Sequence, residues 1–339
     1  MDNIDRKLQV ILYEPKTSMS YGSVVKKNFI CLPSFEASAE KRLSYILVTK
    51  NRAQDLEKKL ISLRDLVGPN DELIIVDGGS SDGTADLVSA YDDIIHIFIS
   101  EPDINSGHAF NKGVMLARGK YVHWISDDDV TKRVGMEQAM QLMETHAEID
   151  FLACGGRTYM VSQNRWRSFY FPPGINYGTR AEDPFILGAC GTGFIIRRSS
   201  IAHIGLSPID VVTNDKAYMA QCINQGGIVR FARIDLFDHI ISEKSYSITG
   251  RKKLGEEREY LLRRYCAPSF FVKRRLKKIR FVRIVSLLWG SNLTAHFFYL
   301  AREQGLRSAM RQMPQAVHDY ERKKKHHECS DPVWDGGLS

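Results

Sequence analysis

The chain has 339 residues, of which 43% are hydrophobic and 26% are charged, and it carries a formal net charge of +7 at pH 7. This composition is ordinary for a globular protein, and it excludes the collagen-like, largely disordered and polytopic membrane classes. The length allows one large domain with an appended segment.

The first half of the chain alternates short apolar runs with segments of helical periodicity. Residues 1–43 predict an N-terminal extension with one edge strand near LQVILYE. We then predict strands at residues 45–49, 72–77, 94–100 and 121–126. Helices are predicted over residues 53–66, 85–91 and 107–117, the last of them ended by Gly119. Continuous β-branched and aromatic strands separated by helices indicate a mostly parallel sheet that is covered on both faces.

The second half has a different rhythm. Strands are predicted at residues 151–161, 191–198 and 228–240, and a loop and helix at residues 213–227. The aromatic stretch with Gly and Pro at residues 165–184 predicts a long surface loop. Residues 251–320 predict a basic helical C-terminal region, followed by a flexible tail at residues 321–339.

Polar residues stand at the ends of the four predicted strands in the first half. In open parallel sheets, ligands bind outside the carboxyl ends of the strands. These residues are Thr49, Asn51 and Arg52 after the first strand, Asp77 after the second, Glu101 and Asp103 after the third, and Asp127, Asp128 and Asp129 after the fourth. The pattern predicts a site for a nucleotide and a metal ion.

The triplet Asp127, Asp128 and Asp129 is the strongest single signal. Like charges at this spacing raise one another's pKa, so we expect a cation to offset them. Mg²⁺ and Mn²⁺ prefer carboxylate oxygens and complete their shells with water and substrate phosphates. A helix N-terminus is the alternative explanation, because Asp is favoured at caps. Alternation along the strand predicts that Asp127 and Asp129 point one way and Asp128 the other, unless the chain has already turned at the triplet.

Three motifs in this half resemble glycosyltransferase family 2, a group of inverting enzymes with the GT-A fold. LVTKNR is similar to the family's opening strand and turn, IIVDGGSSDGT to its second-strand motif, and SEPDINSGHAFNKGVMLARGKYVHWISDDD to the run into its acidic metal motif. The resemblance implies a GT-A fold, Rossmann-like with a mostly parallel central sheet and flanking helices. It places the domain at residues 44–250, with a nucleotide-sugar and metal half at 44–150 and an acceptor half at 151–250.

The resemblance also implies roles for residues of the nucleotide half. Thr49, Asn51, Arg52 and Asp77 would contact the nucleotide, with Asp77 at the base. Lys112 would lie near the nucleotide or its diphosphate.

For the metal, Mn²⁺ or Mg²⁺, the resemblance implies the acidic triplet as ligands. Asp127 would approach both the ribose and the metal, Asp128 would hold the metal that bridges the diphosphate, and Asp129 would support it. Two positions depart from the family pattern. Lys50 stands where an aromatic residue is common, and Ser126 stands where many members have a further Asp.

In the second half, TNDKAYMAQ resembles the family's acidic motif at a helix start, with Asn214 in place of the usual Glu. Asp215 would then be the catalytic base that deprotonates the acceptor hydroxyl. A helix-start residue is the alternative reading of Asp215. His239 in DHIISEKS would complete the metal shell or touch the diphosphate, although a lone His is often structural.

Together these features predict a metal-dependent inverting glycosyltransferase. The donor would be a nucleoside-diphosphate sugar, with UDP favoured, and the acceptor a saccharide or lipid-linked saccharide in polysaccharide or glycolipid assembly. A nucleotidyltransferase is one alternative. A basic membrane or nucleic-acid binder is another, suggested by FVKRRLKKIRFVR at residues 271–283. This stretch lacks a nucleic-acid motif, so we expect no nucleic acid partner and consider peripheral contact with anionic membrane instead.

Several features bear on location. The six cysteines are scattered without a CxxC pair, as is typical of reduced thiols. The start, MDNIDRKLQV, has no apolar core, so we expect no signal peptide. The most apolar stretch, residues 281–301, is interrupted by Arg283, Asn292 and His296 and predicts a core helix pair or an interfacial helix. We therefore expect a cytoplasmic protein that can lie against the inner face of the membrane.

Overall fold

A computed structural model describes residues 9–10, 28–31, 41–169, 171, 178–243, 245–267, 307–308 and 310–312. The strands are β1 (Gln9–Val10), β2 (Asn28–Cys31), β3 (Lys41–Thr49), β4 (Asp71–Asp77), β5 (Ile97–Ser100), β6 (Gly119–Ser126), β7 (Val130–Thr131), β8 (Phe151–Met160), β9 (Arg165–Phe169), β10 (Phe194–Arg197) and β11 (Val229–Ile241). The helices are α1 (Ala53–Leu63), α2 (Thr84–Val88), α3 (Ser106–Leu116), α4 (Arg133–Thr145), α5 (Asp183–Leu187), α6 (Ile201–Ile204), α7 (Asn214–Asn224), α8 (Tyr246–Thr249) and α9 (Arg251–Tyr265).

The chain divides into two compact units. Unit 1 comprises Met1–Thr131, Ile195–Ala202 and Leu206–Asn214, and unit 2 comprises Lys132–Phe194, His203–Gly205 and Asp215–Ser339. The fold as a whole is mixed α/β with a mostly parallel central sheet and flanking helices, as the sequence predicts.

Unit 1 is a sheet in the order β1-β2-β5-β4-β3-β6-β10. The central strands β5, β4, β3 and β6 are parallel, while β1, β2 and β10 pair antiparallel. Apolar residues of β3 and β4 are fully enclosed, among them Leu43, Ile46, Leu73 and Ile75. Because helices cover such a sheet on both faces, its strands read as continuous apolar runs rather than as alternating patterns.

Unit 2 contains β8 with β11 parallel to it on one side and β9 antiparallel on the other. Gly135 of α4 packs directly against the backbone of β11. A side chain at this position would not fit, because a Cβ atom would overlap the backbone of Asp235. The long strand β11 has register shifts between Ala232 and Phe237, so its pairing with β8 is interrupted by a bulge.

Several predicted elements differ from the structure. The loop predicted at residues 165–184 contains strand β9 and the start of helix α5, because RWRSF pairs with β8 as a hairpin. The N-terminal segment contributes two short strands rather than one. Gly119 does not end α3; it begins β6, where a Cβ would lie 2.5 Å from the Ser44 nitrogen.

Two predicted strands are shorter than expected. The strand predicted at residues 94–100 begins at Ile97, because Ile94 is in a turn whose amide bonds to the Tyr91 carbonyl. The strand predicted at residues 191–198 begins at Phe194, after a single 3₁₀ turn over Gly191–Gly193.

The C-terminal helix α9 lies in the region that we predict to be basic and helical. The basic stretch at residues 271–283, the apolar stretch at 281–301 and the tail at 321–339 lie outside the described residues. In the part of the chain that is described, no helix combines the length and apolar character needed to cross a membrane.

Candidate functional site

The ends of the parallel strands in unit 1 lie level with one another. Thr49 of β3 is opposite Asp77 of β4, and Asp77 is in turn opposite Ser100 of β5. On the other side of β3, Val48 is opposite Ser126 of β6. The polar residues that follow these strands therefore share one edge of the sheet.

Two neighbouring strand ends are joined through Asp127. Its Oδ2 accepts a hydrogen bond of 2.8 Å from the Thr49 hydroxyl. Its Oδ1 lies 3.0 Å from Nη1 of Arg52, and the same Nη1 donates to Asp128 Oδ2 at 2.9 Å. Arg52 also pairs with Asp55 at 3.0 Å. Two carboxylates of the triplet thus converge on one guanidinium.

Arg52 and Lys59 are the cations that offset the triplet. Lys59 lies on α1 with only 4% of its surface exposed, and its ammonium donates to the Asp129 carbonyl at 2.5 Å. Burial lowers the pKa of Lys59 to about 8, although the nearby Asp charges oppose this shift. Burial likewise raises the pKa of Asp127 to about 6 against the effect of Arg52 and Thr49.

Lys59 was not identified from the sequence, although a signal for it exists. It lies on the face of α1 that also carries Leu56, Leu60 and Leu63, all of which are buried. A lysine within an apolar helical stripe must find a buried polar partner.

The triplet does not continue the alternation of the strand, because β6 ends at Ser126 and the side chains of Asp127 and Asp128 both reach Arg52 Nη1. Asp127 and Asp129 are buried, with 7% and 4% of their surface exposed, whereas the Asp128 side chain is 22% exposed. Asp128 is therefore the carboxylate of the three that a ligand can most readily reach.

The donor set fits a hard divalent cation. Asp127 and Asp128 present two carboxylate oxygens to a single point, which Arg52 Nη1 approaches in this structure. Mg²⁺ and Mn²⁺ need only one or two such ligands when substrate phosphates and water supply the rest. Within the described residues, no group of three or more His, Cys, Asp or Glu side chains could hold a metal alone.

Asp77 organises the loop that follows β4. It is 1% exposed, and its carboxylate accepts hydrogen bonds from the Ser80 amide at 2.9 Å and the Ser100 hydroxyl at 2.6 Å. The Ser80 hydroxyl also donates to it. Three of the roughly four acceptor positions of this carboxylate are thus used within the chain.

The loop after β3 is fastened to the loop after β4. Asn51, in a left-handed conformation with φ 51°, accepts a hydrogen bond from the Ser81 amide at 2.9 Å. Asp82 accepts from the Ala53 amide at 2.9 Å and so caps α1 from outside that helix. Asp82 was not singled out from the sequence. The order Asp-Gly-Thr before a helix is a recognisable cap signal, but it pointed to α2 rather than α1.

Lys112 of α3 binds the loop after β5. Its ammonium lies 2.6 Å from Asp103 and 3.0 Å from Glu101, and it donates to the Pro102 carbonyl at 3.0 Å. Its charge is therefore neutralised by two carboxylates of its own unit.

Asp215 and His239 belong to unit 2. Asp215 is in the first turn of α7, and its Oδ1 accepts from the Lys216 amide at 2.7 Å. Burial raises the pKa of Asp215 against the charges of Lys216 and His239. His239 lies in β11, near enough to Asp215 for its charge to act on that carboxylate.

Comparison with known proteins gives consistent matches. The family profile described as Glycosyl transferase family 2 matches residues 44–205. The chain is 33% identical over 104 residues to the glycosyltransferase TuaG of Bacillus subtilis, which is assigned to teichuronic acid biosynthesis. It is 28% identical over 99 residues to the dolichyl-phosphate beta-glucosyltransferase of Dictyostelium discoideum. These alignments cover 30% and 27% of this chain, and 41% and 30% of those relatives. The chain thus spans less than half the length of either relative.

Solved structures share the fold over most of the chain. Staphylococcus aureus TarS residues 1–349, in complex with UDP-GlcNAc, superposes with a TM-score of 0.52 at 13% identity, over 87% of this chain and 99% of that 1–349 chain. The mannosyltransferase PcManGT of Pyrobaculum calidifontis, with GDP-Man and Mn²⁺, has a TM-score of 0.52 at 18% identity, over 85% of this chain and 83% of that one. At these identities the likeness establishes the GT-A fold.

Proposed function

Residues 44–205 of this chain form a glycosyltransferase family 2 domain, and on that premise we propose that the protein transfers a sugar from a nucleoside-diphosphate sugar to a hydroxyl acceptor, with inversion at the anomeric carbon. The convergence of Asp127 and Asp128 on one cationic group, at a sheet edge shared with Thr49 and Asp77, carries the proposal. Such an edge is where ligands bind in open parallel sheets.

The donor would lie along the strand ends of unit 1. We assign its nucleoside to the side of Asp77 and its diphosphate to the side of Asp127 and Asp128. That TarS and PcManGT were solved with UDP-GlcNAc and GDP-Man supports a nucleotide-sugar donor here. Asn51 and Arg52 would line the same edge. Asn51 is held by a hydrogen bond from the Ser81 amide, and Arg52 is held by its hydrogen bond to Asp55.

We propose that Asp127 and Asp128 hold Mn²⁺ or Mg²⁺ together with the diphosphate oxygens. The ion would stabilise the negative charge that develops on the nucleoside-diphosphate leaving group. Arg52 Nη1 occupies the point where oxygens of both carboxylates converge, so we expect it to move away when an ion takes that place. Asp129, whose carbonyl bonds to Lys59, and His239 remain predicted contributors to this site.

Asp215 is our proposed general base. A carboxylate with a raised pKa is a better proton acceptor, because basic strength rises with the pKa of the conjugate acid. It would accept the proton of the acceptor hydroxyl as the oxygen attacks the anomeric carbon. As the new bond forms, the bond from that carbon to the phosphate oxygen breaks, and its electron pair leaves with the nucleoside diphosphate.

The acceptor that we propose is a saccharide or lipid-linked saccharide. The names of TuaG and the dolichyl-phosphate beta-glucosyltransferase, which refer to teichuronic acid biosynthesis and to dolichyl phosphate, support this class. Contact of the basic C-terminal region with an anionic membrane, at the cytoplasmic face, belongs to the same proposal.

The test is release of nucleoside diphosphate from a panel of nucleotide sugars, with Mn²⁺ or Mg²⁺ and with EDTA. We expect the wild type to release nucleoside diphosphate from one donor in a metal-dependent way. In Asp128→Ala the rate of release should fall by at least about 100-fold, the order of magnitude for removal of an electrostatic stabiliser. Asp86→Ala, which removes an exposed carboxylate of α2, is the matched control and should retain activity.

The alternatives predict different results. Release of pyrophosphate in place of nucleoside diphosphate would make the protein a nucleotidyltransferase. If no nucleotide sugar is cleaved and calorimetry detects no metal-dependent binding of any nucleoside diphosphate, the proposal is wrong and the acidic triplet is structural.

A further inference from the structure

Lys50 follows β3 at the candidate donor edge, and its environment differs from that of the other cations there. Arg52 pairs with Asp127 and Asp128, and Lys112 with Asp103. Lys50 is exposed, and over the described part of the chain its ammonium makes neither a hydrogen bond nor an ion pair. Its charge is therefore available to a ligand.

The stem of Lys50 lies across Gly78. A Cβ at Gly78 would be 3.0 Å from Lys50 Cδ and 3.3 Å from Lys50 Cβ. The Gly78 amide donates to the Thr49 carbonyl at 2.9 Å, which keeps the two loops side by side. Glycine at this position thus makes room for the lysine stem. Asp103 Oδ2 lies 3.1 Å from the same point, but the carboxylate of Asp103 is paired with Lys112.

The order of the strands decides which part of a donor Lys50 faces. In the order β5-β4-β3-β6, strand β3 separates β4 from β6, which are therefore about 10 Å apart. Thr49 turns its hydroxyl to Asp127 after β6, whereas Lys50 leans onto Gly78 after β4. If the diphosphate lies at Asp127 and Asp128, Lys50 is on the nucleoside side.

Asp77 has little capacity left to bind the nucleoside by itself. It is 1% exposed, and it already accepts hydrogen bonds from Ser80 and Ser100. Lys50, by contrast, is exposed, and its stem lies over Gly78, the residue that follows Asp77. An ammonium has three donors and no acceptor, so it bonds to a carbonyl oxygen but not to an amino group.

We propose that Lys50 is a specificity-determining residue whose ammonium donates a hydrogen bond to the carbonyl oxygen at position 4 of a pyrimidine base, or at position 6 of a purine base, in the donor. Uracil and thymine carry O4 and guanine carries O6, whereas cytosine and adenine have an amino group at that position. The donor is then a nucleoside-diphosphate sugar with a keto base. This inference rests on the proposed function and narrows it.

The test compares nucleotide affinities by calorimetry with the full chain and Mn²⁺. The wild type is titrated with UDP, GDP, CDP and ADP. The keto nucleotide that binds more tightly, UDP or GDP, is then compared in affinity with the amino nucleotide of the same ring type, CDP or ADP. We expect Lys50→Met, which keeps an unbranched apolar stem, to weaken the keto nucleotide about tenfold, the size of one hydrogen bond to a charged group. The amino counterpart should change less than about twofold. Lys58→Met, at an exposed position on α1, is the control and should match the wild type.

Each other outcome has a definite meaning. Equal losses for keto and amino nucleotides would place Lys50 on the ribose or the phosphates, which these nucleotides share, and would overturn the proposal. Unchanged affinities in Lys50→Met would also overturn it, while the proposed function would stand because the wild type still binds. If the wild type binds none of the four nucleotides, the proposed function itself fails and the inference falls with it.

Discussion

The Thr49 hydroxyl lies 2.8 Å from Asp127 Oδ2 and donates to it, joining the ends of two neighbouring parallel strands. Thr49 is the last residue of β3, and Asp127 is the first residue after β6. Both side chains are buried. This bond fixes a carboxylate whose pKa burial raises to about 6, and it does so without adding a positive charge.

Replacing Thr49 tests the strength of this bond. Thr49→Val keeps the shape of the side chain but leaves a buried carboxylate with one donor fewer, so we expect the free energy of unfolding to fall by about 1.5–3 kcal/mol. Urea unfolding at pH 7 measures the change. Thr49→Ser, which keeps the hydroxyl, should lose less than half as much. Equal losses in the two variants would show that the methyl group matters rather than the hydrogen bond.

Arg52 and a divalent ion are expected to compete for the same two carboxylates. In Arg52→Met, Asp127 and Asp128 lose the guanidinium that offsets their charge, so the metal-free protein should unfold at a lower temperature than the wild type. Because an ion that binds only the folded state stabilises it, Mn²⁺ should raise the melting temperature of the variant more than that of the wild type.

Thermal unfolding with and without millimolar Mn²⁺ measures both effects. Arg64→Met, which removes an arginine paired with Asp93 at the surface, is the matched control and should respond to Mn²⁺ as the wild type does. A variant at Arg52 that gains nothing from Mn²⁺ would contradict the assignment of Asp127 and Asp128 as metal ligands.

Asp215→Asn separates base catalysis from binding. The amide keeps the size of the side chain and can still accept a bond from the Lys216 amide, but it cannot take up a proton. We expect kcat to fall by about 10²- to 10⁴-fold, with nucleotide affinity changed by less than about twofold. Asp210→Asn, at an exposed carboxylate five residues earlier, should keep near wild-type activity. A variant with kcat within threefold of the wild type would assign Asp215 to the helix start alone.

The parallel sheet and the acidic edge were predictable because their causes are local. β3, β4 and β6 read as continuous apolar runs, and polar residues follow each run directly. Strand β9 was missed because RWRSF is mostly exposed, so its apolar residues do not form a buried stripe. It is a strand because of its pairing with β8, which is a non-local cause.

The sequence predicts which residues lie at the ends of the strands, but it does not predict which side chains they pair with. The triplet implied a cation, yet nothing in the run DDD shows that Arg52 and Lys59, 70 or more residues earlier, provide it. Lys112, predicted near the nucleotide or its diphosphate, pairs with Glu101 and Asp103, which follow another strand, and the sequence gives no sign of these partners. These pairings depend on the packing of helices on the sheet, which periodicity alone does not determine.

The contact of α3 with the sheet gives a prediction about stability. Gly113 of α3 lies against Ile46 of β3, and a Cβ at this glycine would overlap the isoleucine side chain. Alanine is the better helix former by about 1 kcal/mol, but overpacking a buried contact typically costs about 1–3 kcal/mol. Because Ile46 is fully enclosed, we expect the clash to outweigh the gain in helix propensity and Gly113→Ala to lower the free energy of unfolding by up to about 2 kcal/mol.

A second glycine supplies the control for this substitution. Gly255 lies inside α9, and a Cβ there would meet no atom within 4 Å. Gly255→Ala should therefore raise the free energy of unfolding by about 0.5–1 kcal/mol, because only helix propensity changes. Urea unfolding of both variants measures the difference. If Gly113→Ala is as stable as Gly255→Ala, the contact between Gly113 and Ile46 accommodates an added methyl group, and the prediction is wrong.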